Sequence, residues 1–355
     1  MNELIDFSNA KTLIPNYAGA ATKLKIEYEG NIYLLKFGQV LPRDEKKPMQ
    51  ASYENSQLSE HLGSRIFELC GIDSQNTLLG TYEGRKVVAC LDFIESSSDP
   101  NNFQLVEFRN LETSFLGSTS SRRKTPVLEE TMEIFEKHPY LEGIRSDALY
   151  RYWEMFVVDS LIGNFDRHAG NWGYILDKEK NQLISPAPVY DCGSSFYPRM
   201  NDPTMIKMID NPRMLQRRGE DFPRAALKIG DKKVRYHEFW VSPEAKDARR
   251  VLVDVYQRID LNKIFSLINS TPGVTETQKK FFAAMIESRH ENILQPAYRL
   301  AIKEKELDQM RSVSICQSQR KNKGISPKDD LAMGREAARA FCTDDPGSRG
   351  RGTIR

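Results

Sequence analysis

Three residues in the middle of the chain, Asp166, Asn171 and Asp191, have the types and the order needed to transfer a phosphoryl group. A carboxylate accepts the proton of an attacking hydroxyl; an amide oxygen and a second carboxylate offer hard ligands to a divalent cation. Asp166 and Asn171 stand five residues apart in Asp-Arg-His-Ala-Gly-Asn, and Asp191 opens Asp-Cys-Gly after the apolar pair Val189-Tyr190. Between them, residues 172–176 predict a strand, 177–181 a polar turn and 182–185 the returning strand. A hairpin of that size sets Asp191 across from Asp166 and Asn171. Mg²⁺ keeps waters and takes phosphate oxygens, so one amide and one carboxylate suffice from the protein. Singly, these residues are also what ordinary loops and turns contain. The ordered set is what points to chemistry.

Several elements must hold these groups in place. Residues 146–161 predict a helix, with Leu149, Tyr152, Trp153, Phe156, Val157 and Leu161 on one broad apolar stripe, Ser146 as candidate N-cap and Gly163 as the stop. The candidate loop therefore starts where a packed helix ends. Near the N-terminus, residues 24–29 alternate in polarity, Gly30-Asn31 marks a turn, and residues 32–38 resume as a second strand. The small residues of 16–23 precede it, and backbone N–H groups around Gly19 have the access that a phosphate needs, as does any plain surface loop. Lys36 shares a strand face with Ile32 and Leu34. It either snorkels to solvent or projects from a cleft wall toward phosphates. A helix over 57–70, built on Leu58, Leu62, Ile66 and Leu69 and stopped by Gly71, leaves Glu54, Glu60 and Glu68 as carboxylates that could meet that lysine.

Residues 76–79 and 86–91 read as two more strands, and the second is apolar throughout its latter half. The change to Ser, Asp, Pro and Asn over 95–102 marks a boundary between lobes. Arg122-Arg123-Lys124 and the arginines 213, 217, 218 and 224 are either solvated or near a substrate. Helical patterns occupy 243–260 and 275–301, and from 311 the pattern fades into a tail expected to be disordered. With 355 residues, 39% hydrophobic content and a net charge of +2, the chain has the material for a two-lobed domain and no strongly basic or acidic partner surface. Direct nucleic-acid binding is not expected. No stretch is apolar for long enough to span a membrane, and the acidic N-terminus lacks a signal-peptide pattern. The five cysteines fit neither a zinc motif nor a disulfide framework, so a cytoplasmic location is expected.

The run Asn164-Phe165-Asp166-Arg167-His168-Ala169-Gly170-Asn171, with Tyr190-Asp191 beyond it, resembles the core of the HipA-like serine/threonine kinases, and the Asp-to-Asn interval is that of protein-kinase catalytic loops. The resemblance implies an α+β, protein-kinase-like, two-lobed fold: a β-rich N-lobe over 1–95, a mainly helical C-lobe over 96–310, and the tail 311–355. It implies ATP- and Mg²⁺-dependent transfer to serine or threonine of a protein substrate that the sequence does not identify. Asp166 would be the base, with Asn171 and Asp191 on the metal. Lys36 would meet the nucleotide phosphates, paired with Glu60, and Gly19 would lie in the phosphate loop. The backbone of Ala89, Cys90, Leu91 and Phe93 would be the hinge that receives adenine. His168 occupies a family position, where it either does chemistry or hydrogen-bonds the loop. The family also implies a small DNA-binding antitoxin as partner in a toxin–antitoxin pair.

Two departures bear on that resemblance. The chain has no room for the small N-terminal subdomain of the longer toxins, which brings it nearer to the short, secreted-kinase type. Ala18 stands where those toxins carry a modifiable serine, which leaves Thr22 as the favoured acceptor for self-modification. A lipid or small-molecule kinase of the same fold is the alternative; Asn164, where antibiotic-resistance kinases place histidine, counts against the latter. A non-catalytic nucleotide-binding module acting through a partner is the alternative of another class, and the intact residue set counts against it.

Overall fold

The computed structural model describes residues 4–14, 23–41, 49–50, 54–117 and 125–322. Ala18, Gly19 and Thr22, and the basic triplet 122–124, lie outside them. The chain begins with β1 (Ile5–Asp6), β2 (Lys11–Leu13), β3 (Lys23–Tyr28) and β4 (Asn31–Phe37), followed by α1 (Ser56–Leu69), β5 (Thr77–Tyr82) and β6 (Arg85–Leu91). These strands form one sheet in the order β1-β5-β6-β4-β3-β2, with β1 parallel to β5 and the other pairs antiparallel. The β3–β4 turn has positive φ at both Glu29 (49°) and Gly30 (76°), the backbone that a tight hairpin with right-handed twist requires.

Alternation along the strands divides the sheet into two faces. Tyr33, Leu35 and Phe37 join Phe7, Ile26, Val87 and Ala89 in a small core on one face. Val88 and Cys90 belong instead to the main core, with Leu58, Leu62, Ile66 and Phe67 of α1. Lys36 is out of phase with the small core and so comes to the α1 side. The alternation seen in the sequence therefore decides which way this lysine faces.

The remainder comprises β7 (Phe103–Glu107), α2 (Phe108–Leu116), α3 (Leu128–Lys137), a 3₁₀ turn (Pro139–Ile144), α4 (Arg145–Ile162), β8 (Gly173–Asp177), β9 (Gln182–Pro186), α5 (Asp202–Ile209), α6 (Pro212–Asp221), β10 (Arg224–Ile229), β11 (Lys232–Arg235), α7 (Tyr236–Val241), α8 (Lys246–Arg258), α9 (Leu261–Ser270), α10 (Glu276–Arg289) and α11 (Gln295–Asn322). The predicted hairpin is β8–β9, and β7, which the sequence did not reveal, adds to it as a third antiparallel strand. α4 is buried almost all round from Tyr152 to Ile162, beyond the single stripe predicted. Ser146 is not its cap, because the 3₁₀ turn runs straight into the helix at Arg145. Gly163 ends α4 in the left-handed conformation, φ 68°, as the sequence predicts.

The chain divides after Ala301 into two units, and α11 continues as helix through Asn322, past the point where the periodicity of the sequence fades. Residues 323–355 of the expected disordered tail lie outside the described residues. No helix is long and apolar enough to cross a membrane among the described residues.

Candidate active site

One face of the site is an ionic cluster built from three distant segments. The ammonium of Lys36, from β4, lies 3.0 Å from Oε1 of Glu60 on α1 and 3.3 Å from Oδ1 of Asp191. Burial disfavours the lysine charge, but the carboxylates of Asp191 and Glu60 outweigh it and hold the Lys36 pKa well above the usual lysine value. The other two acids near α1 are engaged elsewhere: Glu54 pairs with Arg199 and Glu68 with Arg65. Oε1 of Glu60 also accepts the backbone N–H of Asp191 at 3.1 Å. Oε2 of the same carboxylate is buried without a partner among the described residues. Asp191 itself has φ 61°, a left-handed backbone that is costly outside glycine and that turns the chain sharply at this carboxylate.

The other face is the loop after α4. Asp166 is exposed, and its carboxylate accepts no hydrogen bond among the described residues. Its N–H donates to Oδ1 of Asn164 at 3.1 Å, and its carbonyl accepts the His168 N–H at 2.8 Å and Nδ2 of Asn171 at 2.7 Å. The amide of Asn171 is thereby oriented by its nitrogen, which leaves Oδ1 as the free end. His168 is bound into the loop, with Nδ1 accepting the Gly170 N–H at 3.1 Å.

A buried network beneath the loop was not anticipated. Asp159 of α4 is 1% exposed and meets both Nε (2.9 Å) and Nη2 (3.1 Å) of Arg167. It also accepts Nδ2 of Asn164 at 3.0 Å. Nη1 of Arg167 donates to the carbonyl of Asn171 at 2.9 Å and to that of Tyr190. One guanidinium thus ties the loop bearing Asp166 and Asn171 to the segment bearing Asp191. The hydroxyl of Tyr236 donates to the Asn164 carbonyl. The sequence carried a signal for this, since a carboxylate inside the apolar run 156–162 requires a buried partner. Cys192 lies against Nη2 of Arg167 at 3.4 Å, and burial pushes its thiol up to about 12 even so. It is a neutral packing residue, not a nucleophile.

The predicted hinge residues divide into two groups. Ala89 and Cys90 lie in β6, paired on one side with Leu35 and Leu34 of β4 and on the other with Leu78 and Thr77 of β5. Leu91 donates to the Asn76 carbonyl and accepts from Nε2 of Gln75, at 2.9 and 2.8 Å. Phe93 differs: no backbone partner meets it among the described residues, and its ring lies 6.2 Å from that of Tyr190. The backbone of Ala89, Cys90 and Leu91 is thus already hydrogen-bonded, and that of Phe93 has no partner among the described residues.

The described residues contain no group of three or more His, Cys, Asp or Glu side chains able to hold a metal alone. Mg²⁺ needs fewer protein ligands than such a group, because phosphate and water oxygens complete its shell. The unpartnered Oε2 of buried Glu60 is an acceptor with room for a donor such as a water.

Comparison with known proteins gives a consistent result. The profile described as HipA-like C-terminal domain matches residues 16–261. The serine/threonine-protein kinase CtkA of Helicobacter pylori, strain J99, is 34% identical over 288 residues, which cover 81% of this chain and 85% of that protein. The crystal structure of the H. pylori proinflammatory kinase CtkA superposes with a TM-score of 0.74 at 32% identity, over 85% of this chain and 98% of that one. HipA of Shewanella oneidensis, solved with HipB and operator DNA, matches at 14% identity and a TM-score of 0.46, over 81% and 67% of the two chains.

Proposed function

The chain belongs to the HipA-like C-terminal domain family, with the two-lobed kinase fold of its H. pylori relative, and we propose that it transfers the γ-phosphoryl group of Mg·ATP to serine or threonine of a protein. One observation carries this reading: Lys36 bridges Glu60 and Asp191 across 24 and 155 residues of sequence, at 3.0 and 3.3 Å. A cation and two carboxylates converge here from three distant segments, and Asp166 has a carboxylate with no hydrogen bond among the described residues. That convergence is what a phosphate-binding site requires.

In this reading Lys36 binds the nucleotide phosphates, while Glu60 holds the ammonium in register. Asn171 and Asp191 are the residues that would hold Mg²⁺, which when bound offsets phosphate charge and aligns the oxygens. Asp166 accepts the proton of the attacking hydroxyl, and its freedom from other hydrogen bonds leaves it able to do so. The Phe93 backbone, beside the Tyr190 ring, receives the base. Residues 1–95 and 96–310 act as the two lobes around this cleft. The three described cysteines, Cys70, Cys90 and Cys192, are buried free thiols, which supports a reducing compartment. A small DNA-binding partner belongs to the proposal on family grounds, and co-purification with the product of an adjacent gene would test it.

The test of activity uses purified protein, Mg²⁺ and γ-labelled ATP with a dephosphorylated lysate. Label is expected on phosphoserine or phosphothreonine of protein. Asp166→Ala should abolish it while nucleotide affinity, measured by calorimetry, stays near wild type. Label found on lipid or a small metabolite and absent from protein would overturn the proposed substrate class.

A further inference from the structure

Arg109 opens α2, 59 residues before His168, yet its Nη2 lies 3.3 Å from Nδ1 of that histidine. The same Nδ1 accepts the backbone N–H of Gly170 at 3.1 Å. A guanidinium and a backbone N–H are obligate donors, so Nδ1 has to carry its lone pair and the ring proton sits on Nε2. The histidine is thus fixed in one tautomer by two donors from different segments.

The surroundings show that this contact is built in. The N–H groups of Phe108 and Arg109 donate to the carbonyls of Trp172 (3.0 Å) and Ala169 (2.8 Å), which joins the start of α2 to the catalytic loop. A Cβ on Gly170 would fall 2.6 Å from Nη2 of Arg109 and 3.1 Å from Oε2 of Glu107. Any larger residue at 170 would have to push these two side chains aside. His168 in turn links the two ends of the loop: its N–H donates to the Asp166 carbonyl at 2.8 Å, and its carbonyl accepts the Asn171 N–H at 2.9 Å.

We propose that Arg109 is a positioning residue of the active site, which with the Gly170 N–H holds the His168 imidazole over the loop and through it the relative placement of Asp166 and Asn171. This rests on the kinase reading for its consequence in catalysis but not for the imidazole contact itself. Loss of a group that orients a catalytic residue, or a misplacement of about 1 Å, costs roughly 10–100-fold in rate. Arg109→Ala should lower kcat by about that factor with KM for ATP changed less than about two-fold, since the nucleotide contacts lie elsewhere. Arg109→Lys keeps one donor and should recover part of the loss.

Two measurements decide the matter. In long-range ¹H–¹⁵N spectra of the full-length protein, which has five histidines, the His168 signals are assigned by their loss in His168→Asn. They should report the Nε2–H tautomer in the wild type, and because the Gly170 N–H keeps that tautomer, Arg109→Ala should instead move the Nδ1 resonance downfield as its second donor is lost. In kinetics, the penalty of Arg109→Ala should disappear in a His168→Ala background. An unchanged Nδ1 resonance in Arg109→Ala overturns the inference whether or not the protein is an active kinase. So does an equal fold-loss from Arg109→Ala in both histidine backgrounds.

Discussion

Arg167 and Asp159 form a two-point ion pair, 2.9 and 3.1 Å, in which both side chains are almost fully buried. Because the same guanidinium also reaches the carbonyls of Asn171 and Tyr190, this pair is the strut between the loop after α4 and the Asp191 segment. Removal of either partner leaves a buried charge unpaired, with an expected stability loss of about 3–5 kcal/mol. Arg167→Lys should not restore the strut, since an ammonium lacks the planar fork that spans three acceptors. Hydrogen exchange in Arg167→Lys should show faster amides over residues 164–172 and 190–193 together. Unchanged protection in both segments would refute this role.

The Lys36–Glu60 pair makes a different prediction. Glu60 is 1% exposed, whereas the Lys36 side chain keeps 22% exposure. Lys36→Met strands the glutamate and should cost about 3 kcal/mol. Adding Glu60→Gln should recover much of that stability, read from urea midpoints, while phosphoryl transfer stays lost. If the double variant is no more stable than Lys36→Met, the cost lies in packing and not in the stranded charge.

Helix α1 is held close to the Asp191-Cys192 segment through Gly63. A Cβ there would stand 2.5 Å from the Cβ of Cys192, an atom that cannot swing aside. Gly63→Ala gains about 1 kcal/mol of helix propensity, yet overpacking of about 1–3 kcal/mol should outweigh it. Cys192→Gly in that background should relieve the clash and raise the melting temperature. A Gly63→Ala variant more stable than wild type would show that α1 has room to move.

His61, beside Glu60 on α1, gives a pH dependence. Burial, reinforced by the Arg65 cation, pushes its pKa down to about 4 from a normal 6.5. Between those values the unfolded chain binds a proton that the folded chain refuses. Stability should therefore fall as pH drops from about 6.5 toward 4, by up to about 3 kcal/mol, and this contribution should level off below pH 4. His61→Gln should flatten the urea midpoint over that window relative to wild type. An unaltered slope would mean that other groups govern the acid sensitivity.

The sequence by itself determined much of the local structure around the site. Polarity alternation fixed β3 and β4 and the face that Lys36 takes, because successive side chains on a strand must point to opposite sides. The apolar recurrence of α1 and α4 and the glycine after α4 fixed where the catalytic loop starts, since only the left-handed backbone at Gly163 ends the helix there. The interval from Asp166 to Asn171 is short enough for the chain alone to close it, through Asn171 Nδ2 on the Asp166 carbonyl. Tertiary structure decided the rest. Glu54, Glu60 and Glu68 are equivalent in sequence; only the docking of α1 under the sheet brings Glu60 to Lys36 and gives its rivals to Arg199 and Arg65. Ala89 to Phe93 look like one hinge, but strand pairing on both sides of β6 takes up the backbone of the first residues and leaves that of Phe93. Arg109 sits in a polar stretch with no local signal at all. It reaches His168 because β7 pairs with β8, and strand pairing joins residues by register in space, which no periodicity along the chain encodes.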